Sequence, residues 1–146
     1  MGQPAVPRPP DLLVHLRRTQ HAVRTLLDSE LAPTGLTLPQ YAVLGELQWR
    51  SGSSASELAR ALGVTAQTMN VLVSGLETSG LVDRSPHEAH GRIIRVHLTR
   101  QGRAALKRGL RLARAVEERL LAGVPAADRD RLIDVLRRIE TRSQTE

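Results

Sequence analysis

The chain is 146 residues long, enough for one domain with its own core and short for two, and it carries 21 Lys and Arg against 15 Asp and Glu, a net charge of +6. That balance favours a polyanionic partner or an acidic membrane surface, yet no run of about 18 apolar residues exists to span a bilayer, so no membrane partner is expected. The absence of cysteine excludes disulfides, thiolate metal sites and a thiol switch and suits the cytoplasm, while a single Tyr, a single Trp and no Phe exclude the aromatic platforms that stack single-stranded bases.

Residues 1–10, MGQPAVPRPP, are too proline-rich for a helix and lack the apolar stretch of a signal peptide, so they read as a loose arm. Asp11 caps the first helix. Along it Leu12, Leu13, Leu16, Val23, Leu26, Leu27 and Leu31 recur at helical spacing until Pro33 and Gly35 end it. A second helix starts near Pro39, an N1-type proline with Thr37 just upstream, and carries Val43, Leu44 and Leu47 to about Trp49. Arg50-Ser51-Gly52-Ser53 reads as a turn.

Ser54 and Glu57 then fit the S-x-x-E capping box, which satisfies two orphan amides at a helix start. The helix they open runs from Ala55 to Leu62 and buries Leu58 and Leu62, and Gly63 sits where a left-handed C-terminal residue belongs. Thr65 caps the next helix, from about Ala66 to Ser79, which Gly80 closes. Two helices separated only by Gly63, Val64 and Thr65 must cross steeply, which is helix-turn-helix spacing.

Leu81 to Arg84 reads as a short strand and Ser85 to Gly91 as a turn. In the returning strand Ile94, Val96 and Leu98 alternate with Arg95 and His97. Thr99 caps a long helix bearing Leu106, Leu110, Ala113, Val116 and Leu120, broken by Gly123 and Pro125. A last helix, from about Ala126 to Thr141, carries Leu132, Val135, Leu136 and Ile139. The expected fold class is mainly α with a small β-hairpin wing: a winged helix-turn-helix plus a helical dimerisation domain.

On the helix after Thr65, Met69, Leu72, Val73 and Leu76 form one apolar stripe that faces the core. At about 100° per residue, Gln67, Val71, Ser74 and Thr78 lie opposite it, with Asn70 on one flank and Thr68 and Gly75 on the other. This outer face carries amides, hydroxyls and small groups and no charge. A helix entering a major groove needs such a face, because Gln and Asn pair with adenine edges, and Ser and Thr bond bases or phosphates. Val71 is wasted exposure on a solvated face, whereas a thymine methyl gives it a partner.

From Arg84 to Arg114 nine Lys or Arg stand against one acid, Glu88, so this segment holds a net +8 and the remainder is close to neutral. Arg84, Arg92 and Arg95 fall on the hairpin, where an extended Arg can follow phosphates or enter a narrow minor groove. A basic segment alone is an ordinary solvated face. A basic hairpin directly after a capped helix-turn-helix points to double-stranded DNA.

Other chemistries find little support. His87, Glu88, His90 and His97 fall within eleven residues, but the alternation turns His97 away from the buried sheet face, so no metal site and no cofactor are expected. No nucleophile elbow, Gly-rich phosphate loop or H-E-x-x-H is present, and no enzyme is expected.

The segment from Ser54 to Thr99 resembles the multiple-antibiotic-resistance regulator (MarR) family of bacterial winged-helix transcription factors. The resemblance rests on Glu57-Leu58-Ala59, Gly63-Val64-Thr65, Leu76-Glu77, Gly80-Leu81-Val82, and Arg92 standing ahead of Leu98-Thr99 with five residues between. One helix before this segment and two after it correspond to that family's dimerisation helices. The family's wing carries an Asp two residues before the Arg, with a basic residue between; here His90 and Gly91 stand in those places.

The resemblance implies a dimeric, ligand-responsive repressor on a pseudo-palindromic operator. It would have an arm at 1–10, a dimerisation helix at 11–34, a DNA-binding lobe at 37–99 and C-terminal dimerisation helices at 100–146. The expected DNA contacts are Ser54, Thr65, Gln67, Thr68, Asn70, Val71, Ser74, Arg84, Arg92 and Arg95. A small acidic or phenolic effector, placed between the dimerisation helices and the lobe as in the resembled family, makes His15, Arg17 and Tyr41 the candidates to hold it. Two alternatives use the same features: an architectural DNA binder without sequence preference, and a winged-helix protein–protein module.

Overall fold

A computed structural model describes residues 11–89 and 91–143; the arm at 1–10 and His90 lie outside the described residues. The elements are α1 (Asp11–Leu31), a 3-10 turn (Ala32–Thr34), α2 (Leu38–Trp49), α3 (Ala55–Leu62), α4 (Ala66–Thr78), β1 (Val82–Pro86), β2 (Ile94–Leu98), α5 (Arg100–Leu120) and α6 (Ala126–Ser143). The chain divides into two compact units between Ala113 and Arg114, a division that falls inside α5.

Local signals set the helix boundaries of the first unit. Thr37 caps α2 in a full capping box with Gln40, so Leu38 is the first helical residue and Pro39 takes the second place, not the N1 place expected. Ser54 and Glu57 make the second capping box, at the start of α3, and Gly63 ends that helix at φ 64°. Thr65 caps α4 by accepting from the Thr68 amide, Ser79 follows its last turn, and Gly80 turns the chain at φ 70°.

The hairpin is longer than expected. β1 includes Ser85 and Pro86 and pairs antiparallel with β2, Val82 opposite Leu98, Arg84 opposite Val96 and Pro86 opposite Ile94. Proline is tolerated there because β1 is an edge strand with an unpaired side. The segment before α3 is also more than a turn: Ser53 bridges Val96, with the Val96 amide donating to the Ser53 carbonyl at 3.0 Å. The Gly52 amide donates in turn to the Val96 carbonyl at 3.1 Å, so this single bridge pairs the free edge of β2 at Val96.

The core of this unit joins Val43, Leu44 and Leu47 of α2, Leu58 and Ala59 of α3 and Met69, Val73 and Leu76 of α4 to Val82, Val96 and Leu98 of the sheet and Ala105 and Leu106 of α5. Each fully buried Leu or Met contributes about 1.5–3 kcal/mol. Leu62 and Leu72 are half-buried on its edge. Ile94, expected to turn inward with Val96 and Leu98, is 44% exposed, because it pairs with Pro86 beyond the helices that cover the rest of that face.

Thr99 joins three elements: its amide donates to the Leu81 carbonyl, its hydroxyl donates to the Gly80 carbonyl at 2.7 Å, and the same oxygen accepts from the Gly102 amide at the start of α5. α5 thus passes so close to Leu81 that a Cβ at Gly102 would overlap the Leu81 carbonyl oxygen.

Much of the apolar surface that the sequence assigns to α1 is open. Only Leu31 is buried on that helix, and Leu12 and Leu13 are 59% and 61% exposed. In the second unit Val116 is buried, α6 has no buried residue, and Leu132, Ile133 and Val135 lie open on it. Gly123 at φ 79° separates α5 from α6, where the Arg129 guanidinium closes the connection by donating to the Leu121 and Val124 carbonyls.

Candidate nucleic-acid interface

The stripe of Met69, Val73 and Leu76 seats α4 on the core, and that seating decides what its other side presents. Gln67, Thr68, Asn70, Val71, Ser74 and Thr78 are all exposed, with Val71 open to 69%. No charged side chain interrupts this face; Glu77 lies to its side and is engaged by Arg84.

Intramolecular bonds divide the hydroxyls. The Thr65 hydroxyl accepts from the Thr68 amide and donates to the Thr68 hydroxyl at 2.9 Å, so Thr65 is occupied as a cap while the Thr68 proton has no acceptor among the described residues. The Ser54 hydroxyl donates to the Glu57 carboxylate at 2.9 Å and accepts from the Glu57 amide. Thr78 donates back to the Ser74 carbonyl. Ser74 instead accepts from an Arg84 guanidinium nitrogen at 2.9 Å.

The three hairpin arginines have three different surroundings. Arg84, on β1, reaches α4, with Nε 3.3 Å from a Glu77 carboxylate oxygen and Nη2 on Ser74. Arg95, on the opposite sheet face, donates from Nη1 to the Gly52 carbonyl at 2.8 Å and to Glu57 at 3.1 Å. Arg92 is exposed beside Gly91 at the wing tip, where a Cβ on Gly91 would meet nothing within 4 Å.

Glu57 is the hub of this support. Its carboxylate accepts from the Ser54 backbone, the Ser54 hydroxyl and Arg95. The Ser54 backbone hydrogen bond is the largest cause that holds its carboxyl below the ordinary value, followed by the Ser54 hydroxyl and then, against desolvation, the charges of Arg95 and Arg60. The capping box is visible in the sequence; the link to Arg95 is not, because it closes across the β2 register.

A cavity of about 210 Å³ opens between α1, α2 and the helix-turn-helix, lined by Gln20 and Arg24 of α1, Leu38, Pro39 and Ala42 of α2, and Leu62, Val64, Met69 and Leu72. Its walls are aliphatic except for the Gln20 amide and the Arg24 guanidinium, which also pairs with Asp28 at 3.7 Å. None of the expected effector residues lines it. His15 and Arg17 are exposed on α1, and the Tyr41 ring lies against α5, 2.8 Å from where a Gly109 Cβ would stand. Gln20 and Arg24 escaped notice because a polar pair one turn apart on a long helix looks like any solvated face.

On the hairpin side, a groove beside β1 and β2 brings His87, Glu88 and His97 together with Ser51, Ser85 and Arg95. Among the described residues no group of three His, Asp or Glu is placed to hold a metal ion. No helix among them is long and apolar enough to cross a membrane.

This combination of capped helix-turn-helix, basic wing and flanking helices has clear relatives. The model of the MarR family matches residues 34–93. The HTH-type transcriptional repressor Rv2887 of Mycobacterium tuberculosis is 39% identical over 111 residues, 76% of this chain and 80% of that protein. The chain belongs to the MarR family. This MarR-family chain is a winged-helix transcriptional regulator.

Solved MarR structures share its fold. That of the same mycobacterial protein in complex with salicylic acid has a TM-score of 0.73 at 34% identity, over 90% of this chain and 97% of that one. That of CouR from Rhodococcus jostii RHA1, bound to p-coumaroyl-CoA, has a TM-score of 0.81 at 26% identity, over 88% and 91% of the two chains.

Proposed function

We propose that this MarR-family regulator is a homodimeric repressor that holds a pseudo-palindromic operator in double-stranded DNA and releases it when a small acidic or phenolic effector binds. The observation that carries the reading is the uncharged, exposed outer face of α4 beside an arginine-bearing wing. In this reading Gln67, Thr68, Asn70, Val71 and Ser74 face base edges in the major groove. Ser54 and Thr65 bring the N-termini of α3 and α4 to phosphates, where orphan amides favour anions. Arg92 enters the flanking minor groove, and Arg84 and Arg95 hold the hairpin that carries it.

Homodimerisation by the helices of 11–34 and 100–146 gives the open apolar residues Leu12, Leu13, Leu132, Ile133 and Val135 a partner. The lobes of 37–99 then meet two half-sites about 10 bp apart. The effector is assigned to the cavity between α1 and the helix-turn-helix. There the Arg24 guanidinium suits a carboxylate and the aliphatic walls suit a ring. Met69 and Leu72 line the cavity from the helix that carries the reading face, so a ligand there biases how that helix is held.

Selection of bound sequences from random duplexes by the purified protein, followed by titration of salicylate against the complex, tests both parts. A palindromic consensus with release by the acid is expected. Retention without enrichment would overturn the repressor reading in favour of an architectural DNA binder, and no retention would overturn DNA binding itself.

A further inference from the structure

We propose that Arg84 is a positioning residue for sequence recognition: it holds the Ser74 hydroxyl by one of its lone pairs, so that Ser74 reads DNA as a hydrogen-bond donor. The inference rests on the operator-binding reading and adds to it the polarity of one contact and the residue that sets it.

A serine hydroxyl on a helix ordinarily donates to the carbonyl one turn back. Thr78 and Ser79 do so here, to Ser74 and Gly75. Ser74 does not; among the described residues its hydroxyl proton has no acceptor, while its oxygen accepts from Arg84 Nη2 at 2.9 Å. A guanidinium has donors only, so the bond fixes the direction of both partners. With one lone pair taken by Arg84, the Ser74 proton is left for an external acceptor, and Ser74 lies on the exposed outer face of α4.

Major-groove acceptors are guanine O6 and N7, adenine N7 and thymine O4, and the unengaged Ser74 proton favours these over the cytosine or adenine amino group, for which only the second lone pair remains. Glu77 completes the device: its carboxylate lies 3.3 Å from Arg84 Nε, which fixes the plane of the guanidinium on α4. Arg84 stands opposite Val96 in the hairpin register, so the same side chain couples the base of the wing to the reading helix. A phosphate-contacting arginine and a positioning arginine differ in a measurable way. The first acts through its charge alone, whereas the second acts through Ser74 and needs the planar fork.

The test measures affinity for the selected operator and for random duplex over a range of salt concentrations, for Ser74→Ala, Arg84→Gln, Arg84→Lys and the double variant Ser74→Ala with Arg84→Gln. Each single substitution is expected to weaken operator binding by about fivefold to tenfold, the worth of one hydrogen bond, with little effect on random duplex. The double variant should be no weaker than Ser74→Ala alone, the non-additivity of two residues serving one contact.

Arg84→Lys should fail like Arg84→Gln although it keeps the charge, and the slope of log affinity against log salt should stay that of the parent in all four. Losses that add, rescue by Lys, or a slope reduced by about one in Arg84→Gln would each overturn the proposal in favour of a phosphate contact. Thermal unfolding followed by the circular dichroism of the helices separates a folding defect from a binding defect. A parent protein with no preference for the selected operator would overturn the operator-binding reading, and this inference with it. Preference in the parent with additive losses in the variants overturns this inference alone.

Discussion

Arg95 on the returning strand of the wing donates to the Glu57 carboxylate at 3.1 Å, so the N-terminal cap of α3 and the hairpin share one anion. The carboxyl is held below its ordinary value of 4.5 chiefly by the Ser54 backbone hydrogen bond. A depressed folded-state value stabilises the fold above the unfolded value and loses that contribution as pH falls through the folded one. The melting temperature of the parent should therefore exceed that of Glu57→Gln most clearly near neutral pH. The gap should close as pH falls below about 4.5. A gap that stays constant from pH 7 to 3 would mean that the charge of Glu57 is not what supports the cap.

Two glycines should respond in opposite directions to the same change. At Gly102 a Cβ would overlap the Leu81 carbonyl oxygen, so Gly102→Ala should destabilise the fold by about 1–3 kcal/mol despite the better helix propensity of alanine. At Gly45, inside α2, a Cβ meets nothing within 4 Å, and Gly45→Ala should stabilise by about 0.5–1 kcal/mol. Chemical denaturation of the two variants checks both. Equal shifts of one sign would contradict the close approach of α5 to Leu81.

These two findings mark the limit of what the chain reveals before it is folded. The capping box at Ser54 and Glu57, the left-handed Gly63 and the stripe from Met69 to Leu76 were legible because each acts within a few residues of itself. The link from Arg95 to Glu57, the bridge from Ser53 to Val96 and the need for glycine at 102 were not. Each depends on the hairpin register or on where α5 docks, which no local pattern records. Strand alternation likewise placed Ile94 inward with Val96, but the core ends before the Pro86 pair.

Val71 and Arg92 should separate recognition from attraction. Val71→Ser should weaken the selected operator by about tenfold and leave random duplex unchanged, because a thymine methyl is read only where thymine stands. Arg92→Ala should weaken both and lower the salt slope by about one, because an arginine in the minor groove is held largely by the negative potential that a duplex of any sequence supplies. Gel-shift titrations at several salt concentrations measure both slopes. Equal weakening of operator and random duplex by Val71→Ser would remove the methyl contact from the account.

Arg24 gives the effector assignment its sharpest test, because it lines the cavity on α1 and stands outside the reading face of α4. A charge-assisted bond to a carboxylate is worth about 1.5–3 kcal/mol, so Arg24→Gln should raise by tenfold or more the salicylate concentration that releases the operator. Affinity for the operator without salicylate should stay that of the parent. Widening the cavity from the α4 side with Leu72→Ala should instead change both quantities, because Leu72 borders the cavity and also packs against the core that seats α4. Release by salicylate that is unchanged in Arg24→Gln, or lost alike in His15→Ala, would place the acid elsewhere on the protein.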